Sequence, residues 1–143
     1  MSFNVLIVDD SNAMRSVIRK IISISGFHMD KCLEAENGAE ALKVLSSEWV
    51  DVIISDINMP VMSGLEMLER LSKDELFKNI PVIMISTEGS EERIKESFSL
   101  GARGFIKKPF VPEDLKQKLH EIIGVQSDGQ YQDDKEDLSG LDF

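Results

Sequence analysis

The sequence predicts an α/β fold: a doubly wound (βα)5 three-layer sandwich with a five-stranded parallel sheet between two helical layers. Short apolar segments rich in β-branched residues alternate with segments of helical periodicity five times along the chain. Such alternation implies parallel strands with helices on both faces, and right-handed crossovers make the doubly wound topology the natural one. The 143 residues, 42% of them hydrophobic, suit one domain with a substantial core.

The first two βα units occupy the N-terminal third of the chain. The run Phe3–Val8 predicts a buried strand, and Ser11 is a suitable N-cap for a helix that Gly26 ends. The segment Met29–Ala35 is less apolar, which favours a strand at the edge of the sheet. A second helix is expected from Asn37 onwards, because apolar residues then recur on one helical face.

The last three units repeat the same pattern. Val50–Ile54 and Pro81–Ser86 are apolar and predict strands, each followed by a loop and a helix. Ser90 caps the fourth helix, whose first turn carries two glutamates that are favourable against the helix dipole. Gly104–Lys107 predicts a short fifth strand, and Pro112–Ile123 a final helix with proline in its first turn.

The composition excludes several classes of function. The formal net charge is −10, with 26 acidic residues against 16 basic ones, which argues against binding nucleic acid or an anionic membrane. No apolar window approaches the length of a membrane span, and the N-terminal apolar stretch lacks the features of a signal peptide. Cys32 is the only cysteine, so no intramolecular disulfide can form. We therefore expect a cytoplasmic protein.

Polar side chains follow several predicted strands, at the edge where this fold places its ligands. These residues are Asp9, Asp10, Asp56, Ser86 and Lys108. Each alone is typical of a cap, a turn or a solvated side chain. Together, three close carboxylates favour a hard cation, Mg2+ before Zn2+, because like charges repel and every ligand is oxygen. A hydroxyl and an ammonium group nearby can hold phosphoryl oxygens, so the set predicts phosphoryl transfer to an aspartate.

Four short motifs, in this order, resemble those of a response-regulator receiver domain. They are Val8–Asp10, Asp56–Pro60, Ser86 and Lys108–Phe110. The resemblance covers about residues 1–124 and is strongest to stand-alone, CheY-like chemotaxis receivers. It implies the flavodoxin-like/CheY-like fold and a phosphorylation-activated regulator of two-component signalling. Such a domain is no enzyme acting on other molecules, although it catalyses its own phosphotransfer and autodephosphorylation.

The resemblance also implies a role for each matched residue. Asp56 is the phosphoacceptor, and Asp9 and Asp10 bind Mg2+ together with Asp56. The backbone carbonyl of Asn58 completes the protein ligands. Ser86 is the switch hydroxyl, rather than the adjacent Thr87, because it stands at the predicted strand end.

The lysine of the family directly precedes proline, which selects Lys108 over Lys107 as the phosphoryl-binding cation. Strand alternation then directs Lys107 to solvent. The bond between Lys108 and Pro109 is often cis in this family. Phe105 matches the aromatic switch, often Tyr in chemotaxis members, and lacks the hydroxyl. Asn58 and Glu88, each two residues past a site residue, are placed to steer or block an attacking water and so tune dephosphorylation.

The partners implied are a histidine kinase of the chemotaxis type, a flagellar motor switch protein or another phospho-dependent target, and a possible phosphatase. Phosphorylation is expected to change the face built by Ser90–Leu100, Gly104–Lys107 and Pro112–Ile123. The alternative output is a phosphorelay intermediate that passes the phosphoryl group to another histidine protein. No second domain is expected, so a fused DNA-binding module is excluded.

Two other site chemistries can be weighed from the residues. A Mg2+-dependent phosphatase of the haloacid-dehalogenase-like type would use Asp56 as nucleophile. Such enzymes place that residue after the first strand and carry a second Asp two residues on, where this chain has Asn58. A flavin-binding flavodoxin-like domain needs a first loop that holds phosphate, whereas the acidic segment Asp9–Asn12 repels it.

Residues 125–143 lie outside the family pattern and form an acidic C-terminal tail. Six acids stand there against Lys135 alone. A solvated, flexible segment is expected from this composition. The apolar residues within it leave open a docking segment for a partner or for the domain's own surface. Those residues are Tyr131, Leu138, Leu141 and Phe143.

Overall fold

The computed structural model describes residues 3–123, so the acidic tail over 125–143 lies outside the described residues. Within that range, strands and helices alternate five times, as predicted. The strands are β1 (Phe3–Val8), β2 (Met29–Ala35), β3 (Val52–Ser55), β4 (Val82–Ser86) and β5 (Gly104–Lys107). The helices are α1 (Asn12–Ile24), α2 (Gly38–Ser47), α3 (Gly64–Ser72), α4 (Glu91–Ser99) and α5 (Pro112–Ile123).

The strands form one parallel sheet in the order β2-β1-β3-β4-β5, which confirms the predicted class and the edge position of β2. The order reverses between β1 and β3, so the crevice of a doubly wound fold opens at the ends of these two strands. Their register pairs Val8 with Ser55. The residues that follow these two strands therefore emerge side by side at the C-terminal edge of the sheet.

Two predicted strand boundaries were wrong. The third strand spans Val52–Ser55 instead of Val50–Ile54, because Asp51 makes other hydrogen bonds before the ladder begins. Its N–H donates to the Asn4 carbonyl, and its Oδ2 accepts from the Asn4 N–H at 2.8 Å. The fourth strand begins at Val82, since Pro81 has no N–H to donate to a ladder.

The core has one apolar cluster on each face of the sheet, as strand alternation requires. One cluster joins the sheet to α2 and α3, and the other joins it to α1 and α5. Helix α4 is the least buried, with only Ser97 buried among its residues. Lys107 is exposed, as alternation predicts. Among residues 3–123, no helix has the length and hydropathy that crossing a bilayer requires.

Candidate functional site

Three carboxylates meet at the C-terminal edge of the sheet, where β1 and β3 end. Asp9, Asp10 and Asp56 each offer an oxygen, and these oxygens lie within 4.8 Å of one another. The Asp56 N–H donates to the Val8 carbonyl at 2.9 Å, so the parallel ladder itself brings the two chain segments together. The three carboxylates therefore form one cluster in the structure, as the sequence predicts.

Asp9 is the most tightly held of the three. Its side chain is buried, and its Oδ1 accepts a hydrogen bond from the Ser11 N–H at 2.9 Å. Its carbonyl accepts from Nη1 of Arg15 at 2.6 Å. The Nε of Arg15 donates in turn to Glu34 at 2.7 Å, and Glu34 also pairs with the half-exposed Arg19. A buried guanidinium on α1 therefore fixes the backbone of the acidic pair.

Lys108 supplies a positive charge among these carboxylates. Its Nζ lies 3.2 Å from Oδ2 of Asp9 and 3.5 Å from Oδ2 of Asp56. Its N–H donates to the Ser86 carbonyl at 2.9 Å, and its bond to Pro109 is cis. The ladder of β4 and β5 thus directs the ammonium group towards the cluster. Lys108 reaches the carboxylates, as the sequence analysis expected.

Asp56 stands in a partly desolvated position. Its side chain is 13% exposed, and its Oδ1 accepts from the Ile57 N–H at 2.7 Å. Burial raises the pKa of the Asp56 carboxyl above its ordinary value, the charge of Lys108 opposes that rise, and the charge of Asp9 adds to it. The charged form of Asp56 is consequently costly to hold in the absence of a further cation.

The loop after Asp56 is packed against the start of α3 through Gly64. A Cβ at Gly64 would lie 2.1 Å from the carbonyl oxygen of Asp56, which no side chain can do. The Gly64 N–H donates to the Ile57 carbonyl at 2.8 Å. Only glycine permits this approach of helix and loop. Gly64 is not among the site residues predicted from the sequence, where the Ser63-Gly64 pair indicates only the start of a helix.

Ser86 is the last residue of β4 and is fully buried, whereas the adjacent Thr87 is exposed. The Oγ of Ser86 accepts a hydrogen bond from the Glu88 N–H at 3.0 Å. The predicted strand end is therefore at the correct residue.

Phe105 on β5 pairs in register with Met84. Its ring is partly exposed and packs on the cluster beneath α2 and α3.

A chain of polar contacts links the loop after β3 to helix α4. The exposed Asn58 donates through Nδ2 to Oε1 of Glu88 at 3.2 Å. The same oxygen accepts from Nε of Arg93 at 3.2 Å, and Nη1 of Arg93 donates to Glu96 at 2.9 Å. Arg93 was absent from the predicted site, because its contact with Glu88 spans a loop and a helix cap that spacing does not reveal.

The donor set fits a hard divalent cation. All three clustered side chains offer carboxylate oxygens, and one ammonium group offsets only part of their charge. Mg2+ is held in proteins by one or two carboxylates with waters and substrate phosphate, which an exposed Asp10 beside a buried Asp9 would permit. The residues present are therefore compatible with the Mg2+ site that the sequence predicts.

The fold and the site geometry define a doubly wound domain. It carries an acidic cluster and a lysine at its topological switch point. The chain belongs to the response regulator receiver domain family, whose model matches residues 5–120. This assignment agrees with the resemblance found in the sequence.

Individual relatives support the same assignment. The chain is 39% identical over 123 residues to a chemotaxis protein CheY homolog of Campylobacter jejuni, covering 85% of this chain and 93% of that protein. The structure of chemotaxis response regulator CheY4 of Vibrio cholerae matches with a TM-score of 0.74 and 35% identity, covering 86% of this chain and 100% of that one. The CheX-CheY-BeF3-Mg2+ complex of Borrelia burgdorferi matches with a TM-score of 0.74 and 35% identity, over 84% and 88%.

Proposed function

We propose that the chain is a cytoplasmic response regulator of chemotaxis signalling that is switched by phosphorylation of Asp56. One observation carries the proposal: the ammonium group of Lys108 lies between Asp9 and Asp56, 3.2 and 3.5 Å from their carboxylates. A phosphoryl group on Asp56 would therefore lie beside a cation suited to phosphoryl oxygens, which supports the proposal. The chemotaxis relatives support the pathway.

In the proposed reaction, a carboxylate oxygen of Asp56 attacks the phosphorus of a phosphohistidine on a kinase. The new P–O bond forms as the P–N bond breaks, and the electron pair leaves on the imidazole nitrogen. Lys108 shifts from the carboxylates to a phosphoryl oxygen. Mg2+, held by Asp9, Asp10, Asp56 and the carbonyl of Asn58, would supply charge neutralisation of the transferring group.

The switch step uses Ser86 and Phe105. We propose that the Ser86 hydroxyl turns to donate to the phosphoryl group, giving up its contact with the Glu88 N–H. Phe105, which is only partly buried, then moves inward. The face formed by α4, β5 and α5 thereby changes its fit for partners. Phosphorylation need only favour one of two existing states, and a tenfold change in partner affinity requires about 1.4 kcal/mol.

The proposed partners are a chemotaxis histidine kinase, a flagellar motor switch protein and a phosphatase. The BeF3-Mg2+ complex of a relative with CheX supports a partner that binds the activated state. Pull-down with and without beryllium fluoride would separate a phospho-dependent target from a phosphorelay acceptor. Only the former should gain affinity in the activated state.

Labelling with a small phosphodonor tests the acceptor. We expect Mg2+-dependent incorporation of one phosphoryl group into the wild-type chain and none into Asp56→Asn. Asp51→Asn is a matched control, because Asp51 precedes β3 whereas Asp56 follows it. Equal labelling of Asp56→Asn and wild type would refute the assignment of the acceptor.

A further inference from the structure

An apolar groove lies at the edge of the sheet opposite the acidic cluster. It has a volume of about 520 Å3, and its apolar lining comprises Leu45, Trp49, Val50, Leu76, Phe77 and Ile80. Trp49 and Leu76 are 75% and 82% exposed, which is unusual for side chains of this size and chemistry. Trp49 is held in place by its Nε1, which donates to Asp51 at 2.9 Å. The groove thus presents a fixed, solvent-facing apolar surface.

A second cavity beside the groove carries basic side chains. Phe77 also lines a neighbouring cavity of about 470 Å3, together with two bases, Arg70 and Lys73, and one acid, Asp74. Among residues 3–123, each base makes one ion pair, to an exposed carboxylate one turn away on α3, at 3.4 Å. Such surface pairs contribute little to the free energy of folding, so either base can exchange its glutamate for another carboxylate. An occupant that combines apolar side chains with carboxylates would therefore complement the whole surface.

The chain itself supplies a segment of this chemistry. Residues 124–143 carry six acids against one lysine, and their apolar side chains include Leu138, Leu141 and Phe143. Helix α5 returns from the C-terminal edge of the sheet, so it ends at Ile123 on the same edge as the groove. Twenty residues can span up to about 66 Å, several times the ~14 Å radius of gyration of a domain of this size.

We propose that the C-terminal segment docks in this groove, with its apolar side chains against Trp49 and Leu76 and its carboxylates near Arg70 and Lys73. A tethered segment has an effective concentration of the order of 1 mM, so even a Kd of about 1 mM leaves roughly half of the grooves covered. A free partner would need far higher affinity at cellular concentrations. The docking does not involve the phosphorylation site, and it goes beyond the proposed signalling function.

Trp49 provides the test, because it is the only tryptophan of the chain. Acrylamide quenching is measured for the full-length wild type and for a full-length triple variant, Leu138→Ser with Leu141→Ser and Phe143→Ser. We expect the Stern–Volmer constant to rise about twofold in the variant, with a red shift of the emission, as covered grooves open. Gln130→Ser with Gln132→Ser is the control, and it should leave quenching unchanged.

Two results would overturn the docking. Equal quenching of wild type and triple variant would mean that the segment does not cover Trp49. Protection of Trp49 from acrylamide that increases with protein concentration would mean that a second copy covers the groove instead. If this protection of Trp49 from acrylamide decreases as the salt concentration is raised, the result supports the expected contacts with Arg70 and Lys73.

Discussion

The α-carbon of Gly64 faces the carbonyl oxygen of Asp56 so closely that a Cβ there would lie 2.1 Å from it. Because backbone cannot yield as a side chain can, Gly64→Ala must move either the start of α3 or the loop that carries Asp56. We expect a loss of about 1–3 kcal/mol in the free energy of unfolding, measured with urea. Phosphorylation of Asp56 should slow as well.

Gly89→Ala is the matched control for that substitution. A Cβ at Gly89 would also meet an atom within 3 Å, but that atom belongs to the flexible side chain of Lys107, 2.7 Å away. The lysine stem can rotate aside, so we expect a much smaller loss of stability. A cost at Gly89 equal to that at Gly64 would contradict the backbone explanation.

The raised pKa of Asp56 makes a prediction about stability and pH. The folded chain holds this proton more tightly than the unfolded chain, because burial disfavours the carboxylate. Stability therefore falls as the pH rises from the unfolded value of about 3.9 through the raised folded pKa, and the cost is full above it. With Mg2+ removed by EDTA, Asp56→Asn should be more stable than wild type at pH 7.

The advantage of Asp56→Asn should shrink as the pH is lowered through the folded pKa and vanish near the unfolded one. Urea unfolding across this range measures it. Asp30→Asn on β2 is the control, because Asp30 is exposed and lies on the far edge strand. A wild-type chain that equals or exceeds Asp56→Asn in stability at pH 7 would show that Lys108 outweighs burial at this site.

The sequence was sufficient to predict the fold because each level of evidence agreed. Apolar runs indicated the strands, and helical periodicity with caps, glycine stops or proline indicated the helices. The parallel arrangement followed from the alternation of these ten elements. The boundary error at β3 arose because the Asp51 side chain replaces a ladder bond before the strand begins. Such replacements depend on partners far away in the sequence, which local patterns do not encode.

The sequence was sufficient to predict those site residues that directly follow a strand. Asp9, Asp56 and Lys108 each stand just beyond a strand end, and the parallel sheet is sufficient to bring them together. Gly64 and Arg15 were missed because their importance lies in a single tertiary contact each. Arg15 falls at a helical position whose neighbours are apolar, and only the fold reveals that its guanidinium is buried.

Arg15 is predicted to stabilise the backbone of the acidic pair, Asp9 and Asp10, from helix α1. Arg15→Met would leave the Asp9 carbonyl without this donor and remove one of the two cations on Glu34. We expect a loss of about 1–3 kcal/mol in the free energy of unfolding. Arg19→Met is the control: it removes the other cation, which is half-exposed, and should cost at most about 1 kcal/mol. Equal losses would show that the carbonyl contact contributes nothing.

Mg2+ should stabilise the folded chain through the carboxylate cluster. A ligand that binds only the folded state adds about 2.7 kcal/mol at 100 times its Kd. We expect the thermal midpoint to rise with Mg2+ in the wild type, and Asp10→Asn to need about tenfold more Mg2+ for the same rise. Asp30→Asn should respond as wild type does. A midpoint that is indifferent to Mg2+ in every variant would exclude a metal site here.

Arg93 is predicted to control the lifetime of the phosphorylated state by holding Glu88. The Glu88 carboxylate accepts from both Asn58 and Arg93 at 3.2 Å, so its position depends on a residue of α4. Arg93→Met removes that restraint, and we expect it to change the rate of dephosphorylation about two- to tenfold, in the same direction as Glu88→Ala. Loss of label over time measures the rate.

Lys95→Met is the control for Arg93→Met, because Lys95 is an exposed base on the same helix. It should leave the lifetime unchanged. The double variant Arg93→Met with Glu88→Ala separates a direct effect from one that passes through Glu88: if Arg93 acts by positioning Glu88, the double variant should dephosphorylate at the rate of Glu88→Ala alone. Additive effects of the two substitutions would contradict the positioning role, since two residues that act through one carboxylate cannot contribute independently.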